Sequence, residues 1–300
     1  MADDLNFTEL RRLRATRPQA VQEAAARRVR RPLLRPDGRL MLVAADHPAR
    51  GALGVRGDGT AMADRYELLR RLSTALRRPG VDGVVATADV LEDLLLLGEL
   101  DDKVVIGSMN RGGLQGSVFE LDDRFTGYDA AGVAAMRFDG GKMLTRIDLA
   151  DSSTVSTLEA SASAVSELAA YQLLAMVEPF LSRRDANGRV VNDLSATAVA
   201  RSVAIASGLG GTSAYTWLKL PVVDDMAAVM AATTLPALLL GGDPVGHPEE
   251  TYASWGRALA VPGVRGLVVG RALLYPPDGD VAAAVDAAAA LVRAGSEVAP

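Results

Sequence analysis

Apolar runs of strand length alternate with segments of helical periodicity along nearly the whole chain. The eight strand-like runs are rich in Val, Leu, Ile and Ala and span residues 40–45, 83–87, 104–108, 142–147, 173–177, 214–220, 237–240 and 266–269. The eight helical segments span residues 61–76, 90–97, 127–138, 154–167, 193–207, 223–231, 249–259 and 281–294. Apolar strands that alternate with helices indicate repeated βα units, so the sequence predicts a parallel sheet buried by helices.

The count of eight strands and eight helices favours one of the two common parallel architectures. It matches a (β/α)8 TIM barrel, and 300 residues, 49% of them apolar, suffice for one such domain. The alternative is a doubly wound open sheet, but no strand leads into the G-x-G-x-x-G turn typical of its dinucleotide sites. Residues 208–211, Gly-Leu-Gly-Gly, precede a strand and are predicted to end a helix and begin a loop. We therefore expect a barrel over residues 39–300 with an N-terminal helical arm over residues 1–38.

Two polar loops that contain glycine, residues 111–126 and 181–192, follow the third and fifth predicted strands. Loops at the carboxyl ends of barrel strands build active sites and lids, so both are expected beside the functional site.

The arm is locally basic, although the whole chain carries a net charge of −5. Its arginines are Arg11, Arg12, Arg14, Arg17, Arg27, Arg28, Arg30 and Arg31. Leu10, Leu13 and Val21 would form the apolar face of an amphipathic helix, which explains the arginines without nucleic acid. We expect no nucleic-acid partner. The arm could close the bottom of the barrel or reach a neighbouring copy in a homo-oligomer.

The chain contains no cysteine, which excludes disulfides and thiol catalysis. Its first residues, Met-Ala-Asp-Asp, lack the basic and apolar regions of a secretory signal. The longest apolar runs are far shorter than the roughly 20 residues of a membrane helix. The sequence therefore predicts a cytoplasmic protein without a membrane segment.

The chain has three lysines, and two of them, Lys142 and Lys219, lie inside apolar strand-like runs. Burial disfavours the charged form of an amine and lowers its pKa, and an unprotonated amine attacks carbonyl carbons. Lys219, flanked by Trp217 and leucines, is the stronger candidate nucleophile. The third lysine, Lys103, precedes the third strand at the opposite rim, where we expect it to be solvated.

Polar side chains also occur at or near the ends of the predicted strands. Asp46 follows the first strand, Asn110 the third and Glu178 the fifth, and Arg146 lies on the fourth. The carboxyl ends of barrel strands converge on one pocket, so these groups are expected to meet the lysines. Glu178 and Asp46 could transfer protons. Alternatively, each could simply pair with a lysine, and Asp46 could simply begin a turn.

Glycines follow the last two strands. Gly241 and Gly242 end the seventh strand, and Gly270 precedes Arg271 after the eighth. Many barrels bind phosphate there through backbone N–H groups, and glycine permits a close approach. We predict a phosphate site formed by these residues, with Arg146 and Asn110 as further substrate contacts.

A metal site is not expected. The chain has only two histidines, His47 and His247, and no cysteine, whereas catalytic zinc sites use several such ligands. An oxygen-ligated Mg²⁺ held by Asp46, Glu178 or Asp243 is the remaining alternative. No other cofactor is predicted.

The order of these residues resembles a known group of enzymes. An acid follows strand one, lysine lies on strand four, glutamate follows strand five, lysine lies on strand six, and Gly-Gly and Gly-Arg follow strands seven and eight. This order resembles the class I aldolases of the deoxyribose-phosphate, tagatose-bisphosphate and archaeal fructose-bisphosphate group, over about residues 40–275. In particular, the chain resembles an actinobacterial aldolase-like barrel family found beside myo-inositol catabolism genes.

The resemblance implies a role for each matching residue. Lys219 would form the Schiff base, Lys142 would be the second lysine, and Glu178 and Asp46 would handle protons. Gly241, Gly242, Gly270 and Arg271 would hold the phosphate. The chain departs from the group where Leu-Pro-Val-Val follows Lys219 and His-Pro follows Asp46, which indicates a different substrate.

The expected function is a class I aldolase that cleaves a phosphorylated keto sugar or sugar acid. The resemblance suggests 5-dehydro-2-deoxy-6-phosphogluconate, which would give dihydroxyacetone phosphate and malonate semialdehyde. Two alternatives remain open from the residues. One is a non-catalytic barrel that binds a sugar phosphate, and the other is a phosphosugar isomerase or epimerase.

Overall fold

The computed structural model describes residues 5–242 and 246–294. Its strands are β1 (Leu40–Ala45), β2 (Gly83–Ala86), β3 (Val104–Ser108), β4 (Gly140–Ile147), β5 (Leu174–Arg184), β6 (Val190–Asn192), β7 (Thr216–Pro221), β8 (Ala237–Leu240) and β9 (Val264–Val269). All except β6 pair in parallel in the closed order β1-β2-β3-β4-β5-β7-β8-β9, because β4 pairs with β5 and β9 returns to β1. The predicted eight-stranded barrel is confirmed, and the doubly wound alternative is wrong.

Two helices form the N-terminal arm, and the others cover the outside of the barrel. They are α1 (Phe7–Thr16), α2 (Ala20–Arg27), α3 (Arg65–Leu76), α4 (Ala88–Leu96), α5 (Ala130–Ala135), α6 (Thr154–Ala170), α7 (Ala196–Ser207), α8 (Met226–Met230), α9 (Pro248–Leu259), α10 (Arg271–Leu274) and α11 (Val281–Ala294). A short 3-10 turn, His47–Arg50, follows β1. Two helices are much shorter than predicted: α5 replaces the helix expected over residues 127–138, and α8 the one expected over residues 223–231.

The segment 181–192, predicted as a loop, is a β-hairpin. Strand β5 continues beyond the barrel rim to Arg184 and pairs antiparallel with β6. The side chain of Asp185 accepts the backbone N–H groups of Asn187 and Arg189, and Gly188 takes a positive φ of 77°. An Asn-Gly pair at a tight turn is a hairpin signal, which explains why this polar segment is regular rather than irregular.

The strands have two kinds of buried face. Alternate residues of β1 point to opposite faces, so Leu40, Leu42 and Ala44 belong to a core inside the barrel. Their neighbours Met41 and Val43 join the larger core between the barrel and its helices. Burial on both faces explains why the strands are continuously apolar instead of alternating with polar residues.

The N-terminal arm closes the amino-terminal end of the barrel. Leu33 and Leu34 pack against the core inside the barrel. Asp82, which precedes β2, accepts hydrogen bonds from Arg31 Nη1 at 2.7 Å and Arg35 Nε at 2.8 Å. Of the two arrangements left open by the sequence, the structure thus shows the arm at the barrel bottom. No helix among residues 5–242 and 246–294 is long and apolar enough to cross a membrane.

Candidate active site

Strand alternation places three ionisable side chains inside the carboxyl end of the barrel. Lys142 on β4, Glu178 on β5 and Lys219 on β7 occupy inward positions, on the same faces of their strands as the inner core residues Met176 and Trp217. Asp46 follows the last residue of β1 and precedes the 3-10 turn. Glu178, expected after its strand, lies within it because β5 continues through the rim.

The four side chains form one connected chain of ion pairs. Lys142 Nζ lies 2.8 Å from Asp46 Oδ2 and 2.6 Å from Glu178 Oε2. Lys219 Nζ lies 3.1 Å from the same Glu178 Oε2. Lys142, Lys219 and Glu178 are only 2%, 4% and 6% exposed, respectively. A single buried carboxylate oxygen is therefore shared by two amines.

The two lysines differ in the direction of their pKa shifts. Burial lowers the pKa of both amines, but for Lys142 the charges of Asp46 and Glu178 outweigh burial and raise its pKa. The pKa of Lys219 is lowered by burial and by the charge of Lys142, and Glu178 only partly offsets this. Lys142 consequently keeps its proton, whereas Lys219 is the amine that loses its proton more easily.

Both acids remain ionised. Burial would raise their pKa values, but Lys142 and Lys219 lower the pKa of Glu178 to about 2. The same two cations hold the pKa of Asp46 well below its usual value against the effect of burial. The site thus presents carboxylates that can accept protons.

His47 is a member of the site that sequence reasoning did not include. It is the first residue of the 3-10 turn, and its Nδ1 lies 3.7 Å from Asp46 Oδ1. Burial, together with the charges of Arg50, Arg271 and Lys219, lowers its pKa to about 3 despite the opposing charge of Asp46. The imidazole is therefore neutral at physiological pH. Its adjacency to Asp46 directly after a barrel strand was the signal in the sequence.

A cleft of about 700 Å³ opens above the ionised cluster. Glu178 and Lys219 lie on its wall, and Gly241, Gly242, Gly270 and Arg271 line it on the side of β8 and β9. The structure thus brings the predicted phosphate residues and the candidate nucleophile to one cavity.

Close packing requires glycine at two positions on this wall, and the backbone conformation favours it at a third. A Cβ on Gly270 would lie 2.3 Å from the carbonyl oxygen of Ala44, and one on Gly241 would lie 2.6 Å from Val269 Cγ1. Gly242 has a φ of +63°, which side chains rarely adopt. All three glycines line the cleft.

The two remaining predicted substrate residues occupy different environments. Arg146 lines the cleft and pairs with Glu120, which is 4% exposed. Asn110 instead bonds through its side chain to the backbone of Leu144, donating to its carbonyl at 2.8 Å and accepting from its N–H at 2.9 Å. Direct contact of Asn110 with a substrate stays a prediction, and the geometry favours a part in holding β4.

Two further arginines were missed. Arg50 and Arg111 line a small pocket directly around the lysines, together with Asp46, His47, Lys142, Leu144, Glu178 and Lys219. Arg111 Nη1 donates to the carbonyl of Ala49 at 3.0 Å and so ties the loop after β3 to the 3-10 turn.

The described part of the chain does not form a set of ligands for the alternative Mg²⁺ site. Within residues 5–242 and 246–294, no group of three or more His, Asp or Glu side chains is arranged to hold a metal ion. Asp46 and Glu178 contact Lys142, and Asp243 lies outside the described residues.

The comparisons with known proteins identify a family and a set of similar folds. The family model described as Cgl0159-like matches residues 38–289. The crystal structure of Cgl0159 from Corynebacterium glutamicum is 60% identical, with a TM-score of 0.93 over 96% of this chain and 97% of that one. No curated protein matches the chain significantly.

More distant similarity extends to aldolases. The structure of an archaeal fructose 1,6-bisphosphate aldolase has a TM-score of 0.63 at 20% identity, over 91% of this chain and 99% of that one. A structure of an archaeal fructose-1,6-bisphosphate aldolase with the catalytic lysine covalently bound to the carbinolamine intermediate has the same TM-score at 21% identity and the same coverage. At this identity the likeness shows a shared fold.

Proposed function

The chain belongs to the Cgl0159-like family, and we propose that it acts as a class I aldolase in which Lys219 forms a Schiff base with a phosphorylated keto sugar or sugar acid. The observation that carries this proposal is the sharing of Glu178 Oε2 by two buried lysines whose pKa values shift in opposite directions. The similar fold of the archaeal aldolases supports the reaction class.

The assignment of the nucleophile to Lys219 follows from the electrostatics. A Schiff base requires a neutral amine, and the pKa of Lys219 is lowered while that of Lys142 is raised. Lys219 also faces the large cleft, whereas Lys142 lines only the small inner pocket. Lys142 would remain an ammonium that favours the neutral form of Lys219 and stabilises negative charge on the substrate.

The proposed reaction proceeds through an imine. The neutral amine of Lys219 adds to the carbonyl carbon, the oxygen takes up a proton, and loss of water gives an iminium. A base removes the hydroxyl proton of the neighbouring carbon, and the electrons of the breaking carbon–carbon bond move to the iminium. An aldehyde leaves and an enamine stays on Lys219. Protonation of the enamine and hydrolysis by water release the second product and the free amine.

The carboxylates that contact the two lysines would transfer the protons. Glu178 contacts Lys219 Nζ directly, so it is placed to take a proton from the amine and return it to the carbinolamine oxygen. Asp46 contacts Lys142 and lies beside His47, which suits it to the hydroxyl of the cleaved bond. Gly241, Gly242, Gly270 and Arg271 would bind the phosphate across the cleft.

For the substrate we propose 5-dehydro-2-deoxy-6-phosphogluconate, cleaved to dihydroxyacetone phosphate and malonate semialdehyde. The support is the resemblance to aldolase-like barrels found beside myo-inositol catabolism genes. Phosphorylated sugars do not leave the cell readily, so this function belongs in the cytoplasm.

The test is trapping of the imine. The protein is incubated with dihydroxyacetone phosphate and sodium borohydride, its intact mass is measured, and the modified peptide is mapped. We expect a reduced adduct on Lys219 and none on the Lys219→Met variant. An adduct on Lys142 would reverse the two roles. No adduct with this or other carbonyl compounds would contradict the proposal and favour a sugar-phosphate-binding barrel or an isomerase.

A further inference from the structure

Arg146 faces the cleft from the side opposite the glycine wall. In the closed strand order, β4 lies four strands from β9 in either direction, so the two are diametrically opposed. Arg146 projects from β4, while Gly270 and Arg271 follow β9. Lys219 lies on a strand between the two sides.

The guanidinium of Arg146 is held in place by an ion pair with an acid. It shares the inward face of β4 with Lys142 and Leu144, and its Nη1 pairs with the buried carboxylate of Glu120. Its side chain is 12% exposed. Its Nε is buried and has no hydrogen-bond partner in the described part of the protein. The buried Nε–H of Arg146 is thus a hydrogen-bond donor without an acceptor. Leaving it unsatisfied costs free energy unless a ligand accepts from it.

Arg50 brings a second cation to the cleft, although it follows β1, the strand that pairs with β9 on the side of the glycine wall. It ends the 3-10 turn after β1, is partly buried, and lines both the small pocket around the lysines and the large cleft. Its backbone is fixed, because its carbonyl accepts the N–H of Gln115 at 2.9 Å. Among residues 5–242 and 246–294 we find no ion pair or hydrogen bond to its guanidinium. Its charge is near enough to lower the pKa of Arg146, after the larger effect of burial.

Two guanidinium groups that face one cavity repel each other unless an anion lies between them. Six basic and three acidic described residues line the two pockets, in a chain with a net charge of −5. With Lys219 neutral and Glu120 counted beside Arg146, five positive and four negative side chains remain. The basic residues are Arg50, Arg111, Lys142, Arg146, Lys219 and Arg271, and the acidic ones are Asp46, Glu178 and Glu250.

We propose that Arg50 and Arg146 form a second anion-binding subsite, so that the substrate carries an anionic group at each end with its carbonyl between them. This inference rests on the proposed function, which places the first anion on the glycine wall and the carbonyl at Lys219. The aldehyde released by cleavage then carries its own carboxylate or phosphate. Arg50 and Arg146 would set specificity for that half of the substrate.

Binding to a variant that cannot form the imine tests the subsite separately from the chemistry. With Lys219→Met, isothermal titration compares ligands that differ in the second anion alone. The pair 6-phosphogluconate and sorbitol 6-phosphate tests a carboxylate, and the pair fructose 1,6-bisphosphate and fructose 6-phosphate tests a phosphate. A charge-assisted hydrogen bond to a desolvated arginine should strengthen binding about tenfold or more for the anion that fits.

The decisive comparison adds Arg50→Gln in the same background. We expect the gain from the second anion to fall at least about tenfold, while the affinity for the singly charged partner changes little. Arg201→Gln, an exposed arginine on α7, is the matched control and should leave the gain intact. Because Arg146→Gln alone would strand the buried Glu120, Arg146 is tested together with Glu120→Gln.

The outcomes separate the two proposals. If neither pair shows a gain, or if Arg50→Gln leaves the gain unchanged, the second subsite is wrong even when borohydride traps Lys219. If borohydride traps nothing but the gain is present and depends on Arg50, the subsite stands and the aldolase proposal fails. The pair that shows the larger gain identifies the second anion as carboxylate or phosphate.

Discussion

The two ends of the barrel both bury charged side chains but arrange them differently. At the bottom, Asp82 accepts from Arg31, Arg35 and Arg293 and from the backbone N–H of Met41 at 2.8 Å. At the top, Glu178 has two lysines as partners and lies on the wall of a cleft. Arginine stays charged and makes fixed multiple hydrogen bonds, whereas a buried lysine can lose its proton. The bottom is therefore suited to structure, and the top to chemistry.

Lys103 sharpens this comparison, because a lowered pKa alone does not make an amine reactive. It lies at the bottom rim as expected, but the expectation that it is solvated is wrong. It is half-buried, its Nζ donates to the carbonyl of Val81 at 3.0 Å, and burial lowers its pKa. Lys219 shares the lowered pKa but also has a carboxylate partner and an open cleft.

The largest expected effect separates these two lysines. Lys219→Met should reduce aldol cleavage at least about 1,000-fold, because the nucleophile is removed. Lys103→Met should leave kcat/KM close to that of the wild type. Steady-state kinetics with circular dichroism to verify folding provides the measurement. Comparable losses in both variants would show that the contrast between the two ends of the barrel is not functional.

The bottom network should matter for stability instead. Asp82→Asn leaves three arginines without their shared carboxylate, and breaking a buried ion pair costs about 3–5 kcal/mol. Urea unfolding should show a loss of this size, whereas kcat of the folded fraction should be retained. Unchanged stability would mean that the arm is held by its other contacts, such as the packing of Leu33 and Leu34 and the hydrogen bonds of Arg28.

Much of the fold could be predicted from the sequence, because the eight apolar strands and their helices each carry a local signal. The meeting of Lys142, Glu178 and Lys219 also follows from strand order and alternation. The hairpin at residues 181–192 was predicted as a loop because its polar sequence lacks the apolar pattern of a strand. Arg50 could not be placed, since its position depends on how the turn after β1 packs against the distant loop after β3.

A smaller effect concerns the acid stability of the top. The pKa of His47 falls from 6.5 to about 3 on folding, chiefly through burial, so the unfolded chain binds more protons between these values. Stability should therefore decrease as the pH falls below 6.5, by up to about 1.4 kcal/mol per pH unit from this group. The contribution of Glu178, whose pKa is lowered to about 2, begins to disappear only below 4.5.

His47→Asn should consequently flatten the stability profile between pH 6.5 and 5. Urea unfolding of wild type and variant at several pH values measures the difference, which should reach about 2 kcal/mol at pH 5. His247→Asn provides a matched control, because this histidine is exposed. If the wild type and His47→Asn lose stability in parallel as the pH falls, His47 is solvated. The carboxyl end of the barrel would then be less desolvated than the amino end.

The smallest expected effect is a shift in a pH profile, and it tests how the two lysines of the top are coupled. The charge of Lys142 lowers the pKa of Lys219, and Glu178 raises it. In Lys142→Met the first influence is lost and Glu178 pairs with Lys219 alone, so the pKa of Lys219 should rise. Because the imine needs the neutral amine, the acidic limb of the rate of borohydride trapping against pH should move to higher pH.

Lys142→Arg is the matched comparison for this last prediction, because it keeps a positive charge beside Glu178. Its acidic limb should stay close to that of the wild type even if the bulkier side chain lowers the maximum rate. A limb that moves equally in both variants would assign the effect to packing rather than charge. If the limb moves in neither variant, burial alone sets the pKa of Lys219. In that case the cleft, rather than the shared carboxylate, is what distinguishes the top of the barrel from the bottom.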